Sequence, residues 1–91
     1  MSQKYRDKID IIAQLLNAAR SGATRTEMIY GVMITYGQLK EYLQMLTDNN
    51  LVRYDKAGQR FITTHKGYQF METYEDLSKL THPIATTTTT N

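Results

Sequence analysis

Two helix starts lie close together in this chain. The first is TRTE at 24–27, a capping box in which Thr24 and Glu27 each satisfy a free backbone N–H of the other. The second is Thr35, an N-cap for the stretch YGQLKEYLQMLTD that follows it. A helix begun at Thr24 must therefore end before Thr35. Met28, Ile29 and Val32 supply its apolar side, and Gly31 with the β-branched residues after it ends it near Val32 or Met33. Ile34 and Thr35 form the turn. In the next helix Leu39, Leu43 and Leu46 mark one face, while Gly37, Lys40, Glu41, Gln44 and Asp48 occupy the other. This helix runs to about Asp48 and stops at Asn49 and Asn50, where an asparagine can take the left-handed conformation.

A longer helix precedes the pair, over residues 4–20. Tyr5, Ile9, Ile12, Leu16 and Ala19 form one apolar strip, and Ile11, Leu15 and Ala18 widen it. So broad an arc predicts a central helix packed on two sides. Gly22 in SGA stops it as a left-handed cap. Downstream, LVRY at 51–54 and RFIT at 60–63 read as strands, with DKAGQ at 55–59 as their hairpin turn. Thr64 caps a last helix over about 65–80. Phe70, Tyr74 and Leu77 line one side of it, and Tyr68, Met71 and Leu80 lie off that line. That is more apolar surface than one neighbour covers. The predicted domain is 1–80, followed by a Thr-rich tail at 81–91 whose low complexity predicts disorder.

A chain of 91 residues suits one small domain that is marginally stable alone. It has no cysteine, so no disulfide framework or thiolate metal site supports it, and dimerisation is one way to enlarge its core. No apolar run approaches the roughly 20 residues that span a bilayer. The start MSQKYRDKID lacks the apolar stretch of a signal peptide, so a cytoplasmic, nucleoid-associated location is expected. The net charge of +2 is unevenly spread. Through Lys66 ten Lys and Arg face six Asp and Glu, and from Gly67 on Lys79 faces Glu72, Glu75 and Asp76. A basic body with an acidic end favours a polyanionic partner for the body.

The order helix, short helix, helix, hairpin, helix makes the fold mainly α with a small β-hairpin, an α+β winged helix-turn-helix. In this arrangement the third helix packs its leucines inward and turns its polar face out. The major groove of DNA is wide enough to admit it.

The sequence also resembles a family. SGATRTEMIYGVMITYGQLKEYLQMLTDNNLV followed by RFITTHKGYQFMETYEDL is similar to the small archaeal winged-helix DNA-binding proteins, over about residues 4–80. GATRTE at 22–27, YGQLKEYLQML at 36–46 and TTHKGYQF at 63–70 carry the resemblance, with Thr64, Lys66 and Gly67 matching the family's T-x-K-G at the last helix. The resemblance implies binding to double-stranded DNA as a regulator or chromatin protein, and a dimer joined through the last helix. Family members built on a long antiparallel coiled coil have a longer final helix than this chain.

Candidate DNA contacts follow from chemistry and position. Thr35, Tyr36 and Gln38 begin the third helix, whose N-terminal residues enter the groove in such folds. Gln38 suits adenine, Lys40 suits guanine, and Gln44 suits a base or a phosphate. Tyr36 packing on the second helix is the alternative for that residue. Thr24 and Arg25 open the second helix, where free N–H groups favour a phosphate. Arg53, Lys56, Gln59 and Arg60 make the hairpin basic, as a wing contact needs, although charge on an exposed hairpin also serves solubility. Glu41 would be repelled by the DNA backbone. Tyr5, Tyr42, Tyr54 and Tyr74 fall near apolar faces and read as core or dimer packing rather than as base-stacking platforms. Tyr68, Phe70, Met71, Tyr74, Leu77 and Leu80 are the candidate dimer contact.

No enzyme is indicated. His65 and His82 are the only histidines, in no ligand spacing, and no Gly-rich phosphate loop follows a strand. The reading is a homodimeric transcriptional regulator on double-stranded DNA, with no cofactor, metal, membrane or small-molecule substrate. Its rivals are a winged-helix module that binds protein instead of DNA, and a nonspecific chromatin protein.

Overall fold

The computed structural model describes residues 7–81, so Tyr5, His82 and the Thr-rich tail beyond lie outside the described residues. The helix α1 (Lys8–Ala18) is central, touching α2 (Arg25–Val32), α4 (His65–Thr81) and the strand β2 (Arg60–Thr63). Ile11, Ile12, Leu15 and Leu16 of α1 are buried, as the wide apolar arc predicts, whereas Ile9 remains exposed. The order then runs α2, α3 (Tyr36–Asp48), β1 (Val52–Asp55), β2 and α4. This is the predicted succession of three helices, a hairpin and a fourth helix.

The two helix starts behave as their sequences require. The Glu27 N–H donates to Thr24 Oγ1 at 3.1 Å, and the Thr24 N–H donates to Glu27 Oε1 at 3.0 Å. Thr35 forms a second capping box, which Gln38 completes. Between them α2 ends at Met33, a non-glycine residue held in the left-handed region with φ 61°. At the far end of α3, Asn50 takes that conformation with φ 61°. The Leu51 N–H reaches back to the Leu46 carbonyl at 2.8 Å, and the Asn50 N–H to that of Thr47 at 3.0 Å. This is a Schellman ending, with Leu46 and Leu51 both in the core.

Gly22 departs from expectation. It is not the cap of α1, a role taken by Ala19 with φ −94°. Gly22 has φ +106° further along, where it reverses the chain. The reversal lets Ala23 pair with Phe61 through two backbone hydrogen bonds of 2.8 and 2.9 Å. The edge of β2 away from β1 is thereby covered. β1 and β2 are antiparallel, with Val52 opposite Thr63 and Asp55 opposite Arg60. Thr63 ties the hairpin to α1, its hydroxyl donating to the Leu16 carbonyl at 2.6 Å and its N–H to that of Ala19 at 2.9 Å.

Gly67 sits where α4 crosses the start of β1. A Cβ there would collide with the Leu51 carbonyl oxygen and the Thr63 methyl group. The glycine therefore sets how closely α4 approaches the hairpin.

Candidate nucleic-acid interface

Leu39, Leu43 and Leu46 turn inward on α3, so its remaining residues define the outward face. At 3.6 residues per turn each step is about 100°, which puts Gly37, Glu41, Gln44 and Asp48 in the middle of that face. Gln38 and Lys40 are then about 160° apart on opposite flanks. Gln38 lies toward α1, beside a shallow pocket lined by Lys8, Glu41, Tyr42 and Met45. Lys40 lies toward the wing, in a cleft it shares with Arg25, Leu43, Gln44, Thr47 and Phe61.

This cleft brings together two cations from separate helices. The capping box of α2 sets Arg25 at its mouth, one residue after Thr24. The guanidinium carbon of Arg25 stands 4.9 Å from the centre of the Phe61 ring and 5.8 Å from that of Tyr54. Tyr54 and Phe61 are cross-strand partners whose rings are 4.9 Å apart and tilted by 56°. Cation–aromatic contacts of this kind hold the guanidinium in place without consuming its donors. On the other wall the Lys40 ammonium lies 5.9 Å from the centre of the Tyr36 ring.

The other candidates are distributed more widely. Thr24 and Thr35 use their hydroxyls as caps. Gln38 Oε1 accepts the Thr35 N–H at 3.0 Å, and the Gln44 amide donates to the Asp48 carboxylate at 3.0 and 3.2 Å. Bidentate reading of adenine needs an amide's donor and acceptor together. In this conformation the acceptor of Gln38 and the donor of Gln44 are engaged. Tyr36 is exposed rather than packed into the core. Strand alternation places Arg53 and Arg60 on the hairpin face opposite Tyr54 and Phe61, and the Arg60 side chain lies over Gly22 and Gly58. Lys56 and Gln59 are exposed in the turn, where the Gly58 N–H is held by the Asp55 carboxylate at 3.2 Å and Gln59 has φ 54°.

Tyr54 was expected in the core or a dimer contact, yet it is partly exposed and supports Arg25 at the cleft. Phe61 and Thr47 were likewise missed as cleft residues. Period-two alternation with buried Val52 could have put Tyr54 on the inward hairpin face. Its proximity to Arg25 is a tertiary fact with no local signal.

On α4, Met71 is buried and Phe70 half-buried against the core of the same chain. The Tyr68 hydroxyl donates to the Arg20 carbonyl at 3.0 Å. The Tyr74 hydroxyl donates to Asp10 Oδ1 at 2.5 Å, and that bond together with burial raises the phenol's pKa above its ordinary value. Leu77 and Leu80 are exposed. Among the described residues no group of His, Cys, Asp and Glu is placed to hold a metal ion, and no helix is long and apolar enough to cross a membrane.

Comparison with known proteins agrees with this architecture. The crystal structure of Sso10a-2, a DNA-binding protein from Sulfolobus solfataricus, superposes with a TM-score of 0.75 at 23% identity, covering 82% of this chain and 81% of that one. No curated protein matches the sequence. The family profile described as winged helix-turn-helix matches residues 5–82. The chain therefore belongs to the winged helix-turn-helix family.

Proposed function

We propose that this protein binds double-stranded DNA, as a homodimeric transcriptional regulator that sets α3 against the major groove and the hairpin beside it. The convergence of Arg25 and Lys40 on one cleft between α2, α3 and the wing carries this reading. Both cations come from separate elements, and neither has an Asp or Glu beside it in the cleft lining. Phosphate contacts of this kind orient a protein on the duplex, while base edges are left to the middle of α3. The fold shared with a protein described as DNA-binding supports the same reading. A dimer joined through the exposed Leu77 and Leu80 would present two copies of α3, to grooves about 34 Å apart or a multiple of that.

The test is fluorescence anisotropy on mixed-sequence duplex DNA across a salt series. Arg25→Ala and Lys40→Ala are each expected to lower the salt slope by about 0.9, as loss of one phosphate contact requires. Strong preference among duplex sequences separates a regulator from a chromatin protein. Glu41 and Asp48, in the middle of the outward face, favour a second reading in which α3 meets a protein partner. Absence of duplex binding even at low salt would select that reading.

A further inference from the structure

Tyr36 and Tyr54 flank the cleft and remain 57% and 43% exposed. Each carries a cation, Lys40 by Tyr36 and Arg25 by Tyr54, and both cations line the cleft itself. The cleft thus has a ring-and-cation pair on α3, Tyr36 with Lys40, and a second pair at the hairpin, Tyr54 with Arg25. Leu43 and Phe61 give the lining between them an apolar component.

Duplex DNA makes poor use of such a surface. Its bases offer only their edges in the grooves, because their faces are stacked on one another. An unpaired strand offers faces to the tyrosines and phosphates to the cations, the combination that single-strand-binding surfaces employ. Charge points the same way. A strand in the cleft meets a lining without carboxylates, with Glu41 outside it and Asp48 at its edge, bonded to Gln44 at 3.0 Å. A duplex seated on α3 brings a phosphate backbone along each side of those two acids.

We propose that the cleft between α3 and the hairpin binds an unpaired DNA strand, with Tyr36 and Tyr54 stacking on bases and Arg25 and Lys40 neutralising phosphates. This activity is additional to duplex binding. It shares the two cations with that reading but depends separately on the two rings.

The experiment compares three labelled probes at low salt: oligothymidylate of about 15 nucleotides, an abasic strand of the same length and charge, and a blunt duplex. The native chain is expected to bind oligothymidylate at least about five-fold more tightly than the abasic strand, the gain of stacking one or more bases. Tyr36→Leu and the double variant Tyr36→Leu with Tyr54→Leu are expected to lower that preference stepwise. Because the preference is a ratio of two single-strand affinities, any displacement of Lys40 or Arg25 weakens both strands alike and leaves the ratio to report stacking. Tyr36 is exposed, so the single variant remains informative if loss of the Tyr54–Phe61 contact unfolds the double one. Equal affinity of the native chain for the two single strands overturns the proposal, whatever the duplex arm shows. A thymidine preference that survives in Tyr36→Leu and in the folded double variant also overturns it. Failure of the duplex arm alone overturns the duplex reading and leaves this one standing.

Discussion

The Lys66 ammonium donates to the Asn49 carbonyl oxygen at 2.9 Å, so the first turn of α4 holds the last turn of α3. Thr64 acts beside it. Its N–H bonds the Leu51 carbonyl at 3.0 Å, and its hydroxyl lies 2.7 Å from that of Asn50 while accepting the Gly67 N–H at 3.0 Å. The segment Thr64–Gly67 is therefore a clamp on the C-terminus of α3, where a positive charge also complements the helix dipole. A lysine that composition alone would assign to DNA is engaged with the protein's own backbone.

The clamp predicts unequal costs. Lys66→Met removes one charged but exposed hydrogen bond and is expected to lower stability by about 1 kcal/mol. Gly67→Ala forces a methyl group against the Leu51 carbonyl and is expected to cost about 1–3 kcal/mol. Urea denaturation followed by circular dichroism measures both, and the expected order is Gly67→Ala below Lys66→Met below native.

Thr35 tests the second capping box. Thr35→Ala is expected to cost about 1 kcal/mol, and Thr35→Ser far less, because serine restores the oxygen that accepts the Gln38 N–H. In a domain this small, 1 kcal/mol is about 4–8 °C in the thermal midpoint, well within the reach of a melting curve.

Glu41 stands in the middle of the face proposed to meet duplex DNA. Glu41→Gln removes its charge with little change of shape. Duplex affinity is expected to rise several-fold at low salt, with the gain shrinking as salt screens the repulsion. An unchanged duplex isotherm at low salt would place Glu41 away from the phosphates.

The Tyr74–Asp10 bond predicts a dependence on alkaline pH. The carboxylate beside the phenol, then burial, raise the Tyr74 pKa above its ordinary value of 10.0. A raised folded pKa means that the native state holds this proton more tightly than the unfolded chain does. The stabilisation is fully present below about pH 10 and is lost as pH rises through the folded value. Unfolding free energies of native and Tyr74→Phe chains should therefore differ most near neutral pH and converge above pH 10, which denaturation at a series of pH values reads directly.

Leu77 and Leu80 test the dimer. The native chain is expected to sediment as a dimer at micromolar concentration, and Leu77→Glu with Leu80→Glu as a monomer that retains its helical spectrum. A native monomer would remove the dimer from the proposal.

Local chemistry was sufficient for the element order. Thr24 with Glu27, Thr35 before YGQ, Asn50 after α3 and Thr64 before α4 mark helix ends through hydrogen bonds that span only a few residues, and such bonds are written in neighbouring letters. The inward leucines of α3 follow from helical period alone. The winged helix-turn-helix arrangement then follows from the order and the shortness of the connections.

Tertiary structure alone decided what those letters face. Gly22 reads as a helix stop, but its positive φ serves the pairing of Ala23 with Phe61, a partner far along the chain. Tyr54 reads as core, but Arg25 of another element lies over it. Helical period sets Gln38 and Lys40 on opposite flanks of α3, but only packing puts α1 beside the first and the wing beside the second. The physical reason is range. Caps and periodicity depend on residues within a turn or two, whereas a cleft is built where elements distant in sequence are brought together by the burial of Leu15, Leu16, Leu39 and Phe61 in one core.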